Sequence, residues 1–351
     1  MFVVLNLAKE IEGDLITYAN LQRTMADQPF MILFRSEELQ RVSGTYRVTE
    51  LGFYGGLWAL SGVWGASDVV IPAAASLVIY LCFAAGIQRW GRIAGWNQRL
   101  TLVVLLVGVF AAINFVQTTH LLRQYLAGSI AFLSLAHLAG DRRVSAALLS
   151  ALACTMHNSV LLVVACFALT WLLFWRFAGP FRWPGLMWRC ALLGMVAGGL
   201  MVYIGIREQI HMGREEGNLS LFHFAFALGL LGAALYGHRQ GGTDAKRFRL
   251  LLLAYGTILA ISVAYFVVGF SLLALRYFAY LEWLYALLVA ELLCAVPRRM
   301  TRAYLLSRWG ACAVATCALV VRVDASVWEY GAGRASIFAA NVPEVVTYIG
   351  R

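Results

Sequence analysis

Charged residues are scarce in this 351-residue chain. They make up 13% of the sequence, whereas hydrophobic residues make up 61%, and the mean hydropathy is +0.74. A soluble domain of this length does not need so much apolar surface. The composition therefore excludes an ordinary soluble globular protein and predicts a polytopic membrane protein.

Lysine is almost absent, since Lys9 and Lys246 are the only two lysines, and the net charge of +10 comes almost wholly from arginine. The arginines cluster between apolar segments. This distribution is typical of membrane topology signals and does not indicate a nucleic-acid surface.

Several common site motifs are missing. The seven cysteines all lie in apolar stretches, without a C-x-x-C pair or a histidine at metal-ligand spacing, so they predict core packing and neither a disulfide framework nor a metal site. No glycine-rich phosphate loop or Walker pattern occurs, which argues against a soluble nucleotide donor on the cytoplasmic side. We expect no cofactor and no metal.

Long apolar runs are abundant, and they predict an all-α, polytopic membrane helical bundle of about ten segments. The predicted segments lie near 67 to 88, 99 to 117, 118 to 138, a broken pair over 144 to 176, 186 to 206, 219 to 237, 249 to 270, 276 to 296 and 303 to 321.

Positive charge recurs in five short connections, which we predict to be cytoplasmic because Lys and Arg are enriched in such loops. The alternate connections, 117 to 119, 207 to 218, 271 to 275 and the tail after 321, are predicted on the opposite side. The positive connections contain Arg89, Arg92 and Arg99; Arg142 and Arg143; Arg176, Arg182 and Arg189; Arg239, Lys246, Arg247 and Arg249; and Arg298, Arg299, Arg302 and Arg308.

The apolar run 144 to 176 has arginines at both ends and the polar sequence Met156-His157-Asn158-Ser159 near its centre. Both ends are predicted on one side, so the run must reverse direction near His157 and form a short re-entrant or broken hairpin. Each arm would be roughly 20 to 27 Å long, against a hydrocarbon core of roughly 30 Å. The hairpin would place an imidazole within or near the membrane, where ionisable groups are usually functional.

The first 50 residues mix seven acidic with five basic residues and predict an amphipathic extracytoplasmic region. No signal peptide is recognisable before it. Either Leu51 to Trp64 crosses the membrane despite its shortness or, as we expect, a first helix is missing or trimmed. The predicted organisation is this region over 1–50, a transmembrane bundle over 51–321 and an extracytoplasmic tail over 322–351.

Polar residues on the predicted outer side include several cations. Arg123, Arg276, Arg207 and Arg214 could line a cavity for an anionic ligand, since guanidinium groups match phosphate oxygens. A snorkelling arginine or a solvated loop would account for individual members. His157 could act as a general base or as a hydrogen-bond donor to a phosphate. It could also be a structural hydrogen-bond donor. The predicted substrate contacts are Gln124, Tyr125, Asn158, Tyr277 and Tyr280.

In order and approximate spacing, these motifs resemble the EpsG-like branch of Wzy-type bacterial polysaccharide polymerases over about residues 13 to 296. The residues that carry the resemblance are Gly13-Asp14 with Tyr18, Glu50 before an apolar segment, Arg123-Gln124-Tyr125-Leu126-Ala127, His157-Asn158-Ser159, and Arg276-Tyr277 with Tyr280. The chain departs from the family by lacking the initial span and the arginine that often precedes the Gly-Asp pair.

The resemblance implies a fold similar to GT-C glycosyltransferases and a multi-pass place in the bacterial inner membrane. The activity it implies is polymerisation of oligosaccharide units carried on undecaprenyl diphosphate, at the periplasmic face. Arg123 and Arg276 would bind the diphosphate, His157 would activate an acceptor hydroxyl or hold phosphate, and Asp14 or Glu50 would be a reserve base. Implied partners are the lipid-linked oligosaccharides, the bilayer, chain-length regulator and flippase proteins, and no nucleic acid.

Two other classes use similar residues. A membrane O-acyltransferase that modifies glycans would also use a histidine within the membrane, with acyl-CoA on the cytoplasmic side. A flippase or exporter of lipid-linked oligosaccharide would use the same cations for binding without chemistry.

Overall fold

The computed structural model describes residues 14–26, 29–30, 50–65, 70–109, 113, 121–176, 189, 191–192, 194–203, 221–239 and 245–295. These ranges are helices and their connections, and they contain no strand. The predicted segment 303 to 321, the tail 322–351 and most of the region 1–50 lie outside them.

Most helices coincide with the predicted apolar segments, although Asp14–Ala26 and Leu51–Val63 precede the first of them and Ser271–Ala295 begins inside the predicted connection 271 to 275. The helices are numbered in chain order. They are α1 (Asp14–Ala26), α2 (Leu51–Trp58, continued by a π-helical turn over Ala59–Val63), α3 (Val70–Ala94), α4 (Gln98–Val107), α5 (Leu122–Ala139), α6 (Arg143–Met156), α7 (Val160–Thr170, continued by a π-helical segment over Trp171–Arg176), α8 (Gly194–Tyr203), α9 (Leu221–Arg239), α10 (Ala245–Val267) and α11 (Ser271–Ala295).

Three helices in the described ranges are long and apolar enough to cross a membrane: Val70–Ala94 and, within α10 and α11, Arg247–Val267 and Ser271–Glu291. These three helices support the prediction of a membrane protein. The other apolar helices are shorter, so the count of ten segments stays a prediction.

Helix α11 forms the centre of the bundle and contacts α4, α5, α9 and α10. Its large side chains, including Tyr277, Leu284 and Tyr285, are fully buried. Close approach to α5 is possible because Gly128 faces Trp283, whose Nε1 would lie 2.5 Å from a Cβ at that glycine. Packing on α11 therefore fixes the neighbouring helices around one buried core.

Helices α3, α5 and α11 run parallel. Phe83 and Phe132 pair with ring centroids 5.2 Å apart, and further along the same helices Arg89 lies against Gly140. Arg123, at the start of α5, pairs with Glu50, which in turn pairs with His157, and this end of the bundle is called the His157 end. The other carries Arg89, Arg142, Arg143 and Arg247, and is called the arginine end.

The apolar run 144 to 176 does reverse direction. The guanidinium carbon of Arg143, at the start of α6, lies 5.1 Å from the ring centroid of Trp171, near the end of the second arm. Both arms therefore have their outer ends at the arginine end and their junction at His157. This geometry confirms the predicted reversal of the run.

Arg247 differs from its predicted place in a positive loop. It lies in the first turn of α10 with 5% of its surface exposed, and its Nε donates to Oε1 of Glu291 over 3.0 Å. Trp90 donates to the same oxygen over 3.0 Å. This ion pair joins α3, α10 and α11, and a buried carboxylate at position 291 explains why the arginine is drawn into the bundle.

Candidate functional site

The helix break at His157 presents polar groups that the surrounding apolar sequence otherwise lacks. Helix α6 ends because His157 adopts an extended conformation, with φ −157° and ψ 130°. The following residues turn, and the amides of Val160 and Leu161 donate to the carbonyls of His157 and Asn158. The amide of Asn158 donates instead to Oε1 of Glu50 over 3.1 Å. The break is thus held by a side chain from another helix.

Glu50 lies at the centre of the site. It precedes α2 but does not cap that helix, and it is 4% exposed. Its Oε1 pairs with Nδ1 of His157, while its Oε2 accepts a hydrogen bond from Nη1 of Arg123 over 2.5 Å. Both carboxylate oxygens are therefore engaged, one by each of two other helical segments.

Arg123, near the start of α5, lies among aromatic side chains. Its Nε donates to the hydroxyl of Tyr18 over 3.1 Å and its Nη1 to the hydroxyl of Tyr54 over 3.0 Å. The rings of Tyr18, Phe53 and Tyr54 have centroids 5.7 to 5.9 Å from its guanidinium carbon. These contacts fix the orientation of the guanidinium by charge, hydrogen bonds and cation–π attraction.

One edge of the Arg123 guanidinium is not used by these contacts. Its side chain is 27% exposed, and Nη2 forms no hydrogen bond within the part of the chain that the structure describes. Arg123 can therefore hold Glu50 through Nη1 and still offer Nη2 to an external anion.

The environment of Glu50 keeps its carboxyl group ionised. Burial raises its pKa, but the charge and hydrogen bond of His157, the charge of Arg123 and the amide of Asn158 outweigh burial and lower the pKa from 4.5 to about 2. An ionised carboxylate only accepts hydrogen bonds, so Nδ1 of His157 is the donor. Nε2 of the neutral imidazole is then the basic atom.

The surroundings of Glu50 bear on its predicted role as a reserve base. A carboxylate with both oxygens engaged and a pKa near 2 is a poor proton acceptor at neutral pH. Its position suits a different task, which is to hold the tautomer and orientation of His157. The other predicted reserve base, Asp14, begins α1, and the structure does not describe its side chain.

Gln124 and Tyr125 join α5 to α11. Nε2 of Gln124 donates to the carbonyl of Arg276, and the hydroxyl of Tyr125 donates to Oε2 of Glu282 over 2.6 Å. The two side chains are only 3% and 1% exposed. In the structure they lie between two helices and keep Arg123 and Arg276 at the same end of the bundle, and their contact with substrate stays a prediction.

The predicted tyrosines of α11 are buried beside the helix break. The hydroxyl of Tyr280 lies 2.8 Å from that of Ser159, so it links α11 to the turn after His157. Tyr277 stacks on Tyr265 with ring centroids 5.4 Å apart. Arg276 is half-buried one turn away, close enough for its charge to act on His157 and Tyr280.

The site thus unites Glu50, Arg123, His157 and Arg276, which sequence analysis had placed on one side of the bilayer. Arg207 and Arg214 lie outside the described residues. Sequence analysis missed Tyr54 and Glu282. The i, i+4 spacing of Glu50 and Tyr54 at the start of an apolar helix was a usable signal for Tyr54.

The described residues contain no candidate metal site. No group of three or more His, Cys, Asp or Glu side chains in them could hold a metal ion. The described cysteines, Cys82, Cys154 and Cys166, are free thiols.

The arrangement combines an oriented imidazole with two guanidinium groups at a helix break. An imidazole whose Nδ1 is held by a carboxylate can take a proton through Nε2. Guanidinium groups nearby can hold a phosphate or stabilise negative charge as it develops. The geometry therefore suits proton abstraction from a hydroxyl beside a bound anion. Comparison with known proteins does not identify a family, since no family model, curated protein or solved structure matches this chain.

Proposed function

We propose that this chain is a glycosyltransferase-type polymerase that joins undecaprenyl-diphosphate-linked oligosaccharide units into a surface polysaccharide. In this proposal the bundle is a multi-pass, GT-C-like protein of about ten segments in the bacterial inner membrane. The His157 end faces the periplasm and the arginine end faces the cytoplasm. The observation that carries the proposal is the Glu50–His157 pair beside Arg123 at a helix break.

In the proposed reaction, Nε2 of His157 takes the proton of an acceptor sugar hydroxyl as its oxygen attacks the anomeric carbon of the donor. A new glycosidic C–O bond forms while the bond from that carbon to the diphosphate oxygen breaks. The electron pair leaves with undecaprenyl diphosphate. Glu50 stabilises the imidazolium that results.

The guanidinium groups would act on the leaving group. Arg123 offers Nη2 while its other nitrogens are held by Glu50, Tyr18 and Tyr54. Arg276 approaches from α11, whose position is fixed through Gln124. Two cations from different helices suit a diphosphate, because each phosphate can accept hydrogen bonds from one guanidinium. The same cations stabilise the negative charge that develops on the diphosphate as its bond to the anomeric carbon breaks.

Reconstituted vesicles with lipid-linked repeat units provide the test. We expect wild-type protein to produce a ladder of long chains, and His157→Ala and Arg276→Ala to leave single units. Arg99→Ala, an exposed arginine of α4 at the arginine end, is the control and should retain the ladder. Ladders of wild-type length in both site variants would contradict the proposed mechanism.

The same vesicles distinguish the alternative classes. Translocation of lipid-linked units without any glycosidic product would indicate a flippase or exporter. Transfer of an acyl group from acyl-CoA to the glycan, again without a ladder, would indicate an O-acyltransferase. Thermal unfolding of each variant in detergent shows whether a lost product reflects lost folding.

A further inference from the structure

The arginine end contains a second group of basic side chains, separate from the site at His157. Arg89 and Arg92 lie in the last two turns of α3, His137 lies in the last turn of α5, and Arg142 immediately precedes α6. The guanidinium of Arg89 extends over the end of α5, since a Cβ at Gly140 would lie 2.7 Å from its Nη2. Arg92 lies one turn from Arg89 on α3, and the amide of Arg142 donates to the carbonyl of His137 over 3.0 Å, so the four residues meet where α3 and α5 end.

No acidic side chain in the described ranges neutralises this group. Asp141 is next to it in sequence but pairs with Arg143 over 3.1 Å, and Glu291 pairs with Arg247. Nε of Arg89 and Nδ1 of His137 are buried without a hydrogen-bond partner in the described part of the protein. Like charges close together are unfavourable. The described residues provide no counter-ion that would offset this repulsion.

The helix dipoles account for only part of this charge. The C-terminal end of a helix carries about half a negative charge, so the ends of α3 and α5 together offset about one cation. Arg89, Arg92 and Arg142 supply three. Arg92 and Arg142 are exposed and can be hydrated, whereas Arg89 is partly buried, so a bound anion would offset the charge next to Arg89.

The surface around the cluster indicates its depth in the bilayer. Helix α3 has 25 residues, or ~37 Å at 1.5 Å per residue, against roughly 30 Å of hydrocarbon, so its last turns reach the head-group layer. Leu77 and Leu81 are exposed on one face of α3, which would contact acyl chains in a bilayer, and Arg92 follows on the same face.

Along helix α6, as along α3, exposed apolar residues adjoin basic residues. Val144, Leu148 and Leu152, spaced four residues apart, are 75%, 67% and 43% exposed, and the stripe begins directly after Arg142 and Arg143. Exposed apolar side chains therefore adjoin the basic cluster on two helices. This is the arrangement expected where acyl chains lie along the helices and head groups lie beside the cations.

We propose that Arg89, Arg92, His137 and Arg142 bind the phosphate of an acidic phospholipid head group. Guanidinium groups match phosphate oxygens, and basic pockets between membrane helices are suited to acidic lipids. The depth of the cluster favours a lipid phosphate over free phosphate, because the exposed stripes of α3 and α6 can hold its acyl chains. This site is independent of the function proposed for the His157 end.

Native mass spectrometry of the full chain in detergent tests the proposal. Phosphatidylglycerol and phosphatidylcholine are titrated separately, and the apparent Kd of the first adduct is measured. We expect phosphatidylglycerol to bind more tightly. Arg89→Ala should weaken it about fivefold, since each cation near an acidic surface contributes a modest favourable term. Arg89→Lys should retain most of the affinity, and Arg99→Ala should leave it unchanged.

Three results would overturn the proposal. Equal affinity for the two lipids would remove the requirement for negative charge. Equal weakening by Arg99→Ala would mean that overall charge, and not this cluster, attracts the lipid. Displacement of phosphatidylglycerol by an equal concentration of inorganic phosphate would assign the cluster to a free anion. Thermal unfolding checks that each variant is folded, and Arg142→Ala, at an exposed position, replaces Arg89→Ala if that variant does not fold.

Discussion

Oε1 of Glu50 and Nδ1 of His157 form a buried hydrogen bond between residues 107 positions apart in the sequence. The pair joins the start of α2 to the break between α6 and α7. It sets the direction of the imidazole, because one ring nitrogen is occupied and the other is left for chemistry. Arg123 completes the arrangement from α5 and balances the charge of the carboxylate.

The stability of the protein should depend on pH through Glu50. Its pKa is lowered from 4.5 to about 2, so the folded state favours the ionised carboxylate. The stabilisation is fully present above pH 4.5 and is lost as pH falls from 4.5 towards 2. We therefore expect the melting temperature of the wild type to decrease as the pH is lowered through this range.

Glu50→Gln isolates that effect, because the variant cannot ionise at position 50. It should be less stable than the wild type at neutral pH, and the difference should narrow as the pH approaches 2. Thermal unfolding in detergent over this pH range checks both points. A constant difference between the two proteins at every pH would show that Glu50 is not the group responsible.

Glu50→Gln should also lower kcat in the proposed polymerase reaction, by on the order of a hundredfold or more, because His157 loses the partner that stabilises its charged form. KM for the lipid-linked unit should change much less. Initial rates of polymer formation in vesicles measure both quantities. Asp141→Asn, in the exposed pair with Arg143, is the control and should keep the wild-type rate.

Gly128→Ala should destabilise the protein by about 1 to 3 kcal/mol through overpacking. The added Cβ would lie 2.5 Å from Nε1 of Trp283, and that indole is packed against Phe83 and Tyr125. Gly256→Ala is the matched control, since a Cβ at that helical glycine meets nothing within 4 Å. It should stabilise by roughly 0.5 to 1 kcal/mol, because alanine is the better helix former. Equal effects of the two changes on thermal unfolding would contradict the close approach of α5 and α11.

The buried pair of Arg247 and Glu291 should be costly to break one side at a time. Arg247→Met or Glu291→Gln leaves a buried charge without its partner, and we expect each to cost about 3 to 5 kcal/mol. The double variant with Met at 247 and Gln at 291 should cost clearly less than the sum of the single changes. A double-mutant cycle from unfolding in denaturant measures this coupling, and additive costs would argue against it.

The exposed pair of Arg143 and Asp141 serves as the comparison. Its side chains are 50% and 55% exposed, and its coupling should not exceed about 1 kcal/mol because water and salt screen it. Both cycles are measured under the same conditions, so that burial is the main difference between them.

Several features of the fold could be predicted from the sequence because they follow from local composition. Apolar runs located the helices, and the polar residues at 156 to 159 located the break. The arginines at 142 and 143 and at 176 correctly indicated that the run 144 to 176 reverses. Helix boundaries were less accurate where polar residues are buried, and α10 begins at Ala245 because Arg247 finds Glu291 inside the bundle.

The candidate site could be predicted only in outline. Arg123, His157 and Arg276 stood out because cations and an imidazole are expensive in apolar segments. The roles of Gln124 and Tyr125 could not be predicted in the same way, since their polar atoms suit a substrate or another helix equally well. Their partners, the Arg276 carbonyl and Glu282, are identified only by the packing of α5 on α11.

The sequence by itself determined the helical class, the apolar character of the helices and the position of the break, because hydrophobicity and charge act along the chain over a few residues at a time. The tertiary structure decided which polar groups meet. Glu50 could have been a base, a helix cap or a solvated carboxylate. Burial between Arg123, His157 and the Asn158 amide selected a fixed anion that orients the imidazole, since a buried carboxylate stays charged only where opposite charges and hydrogen bonds surround it.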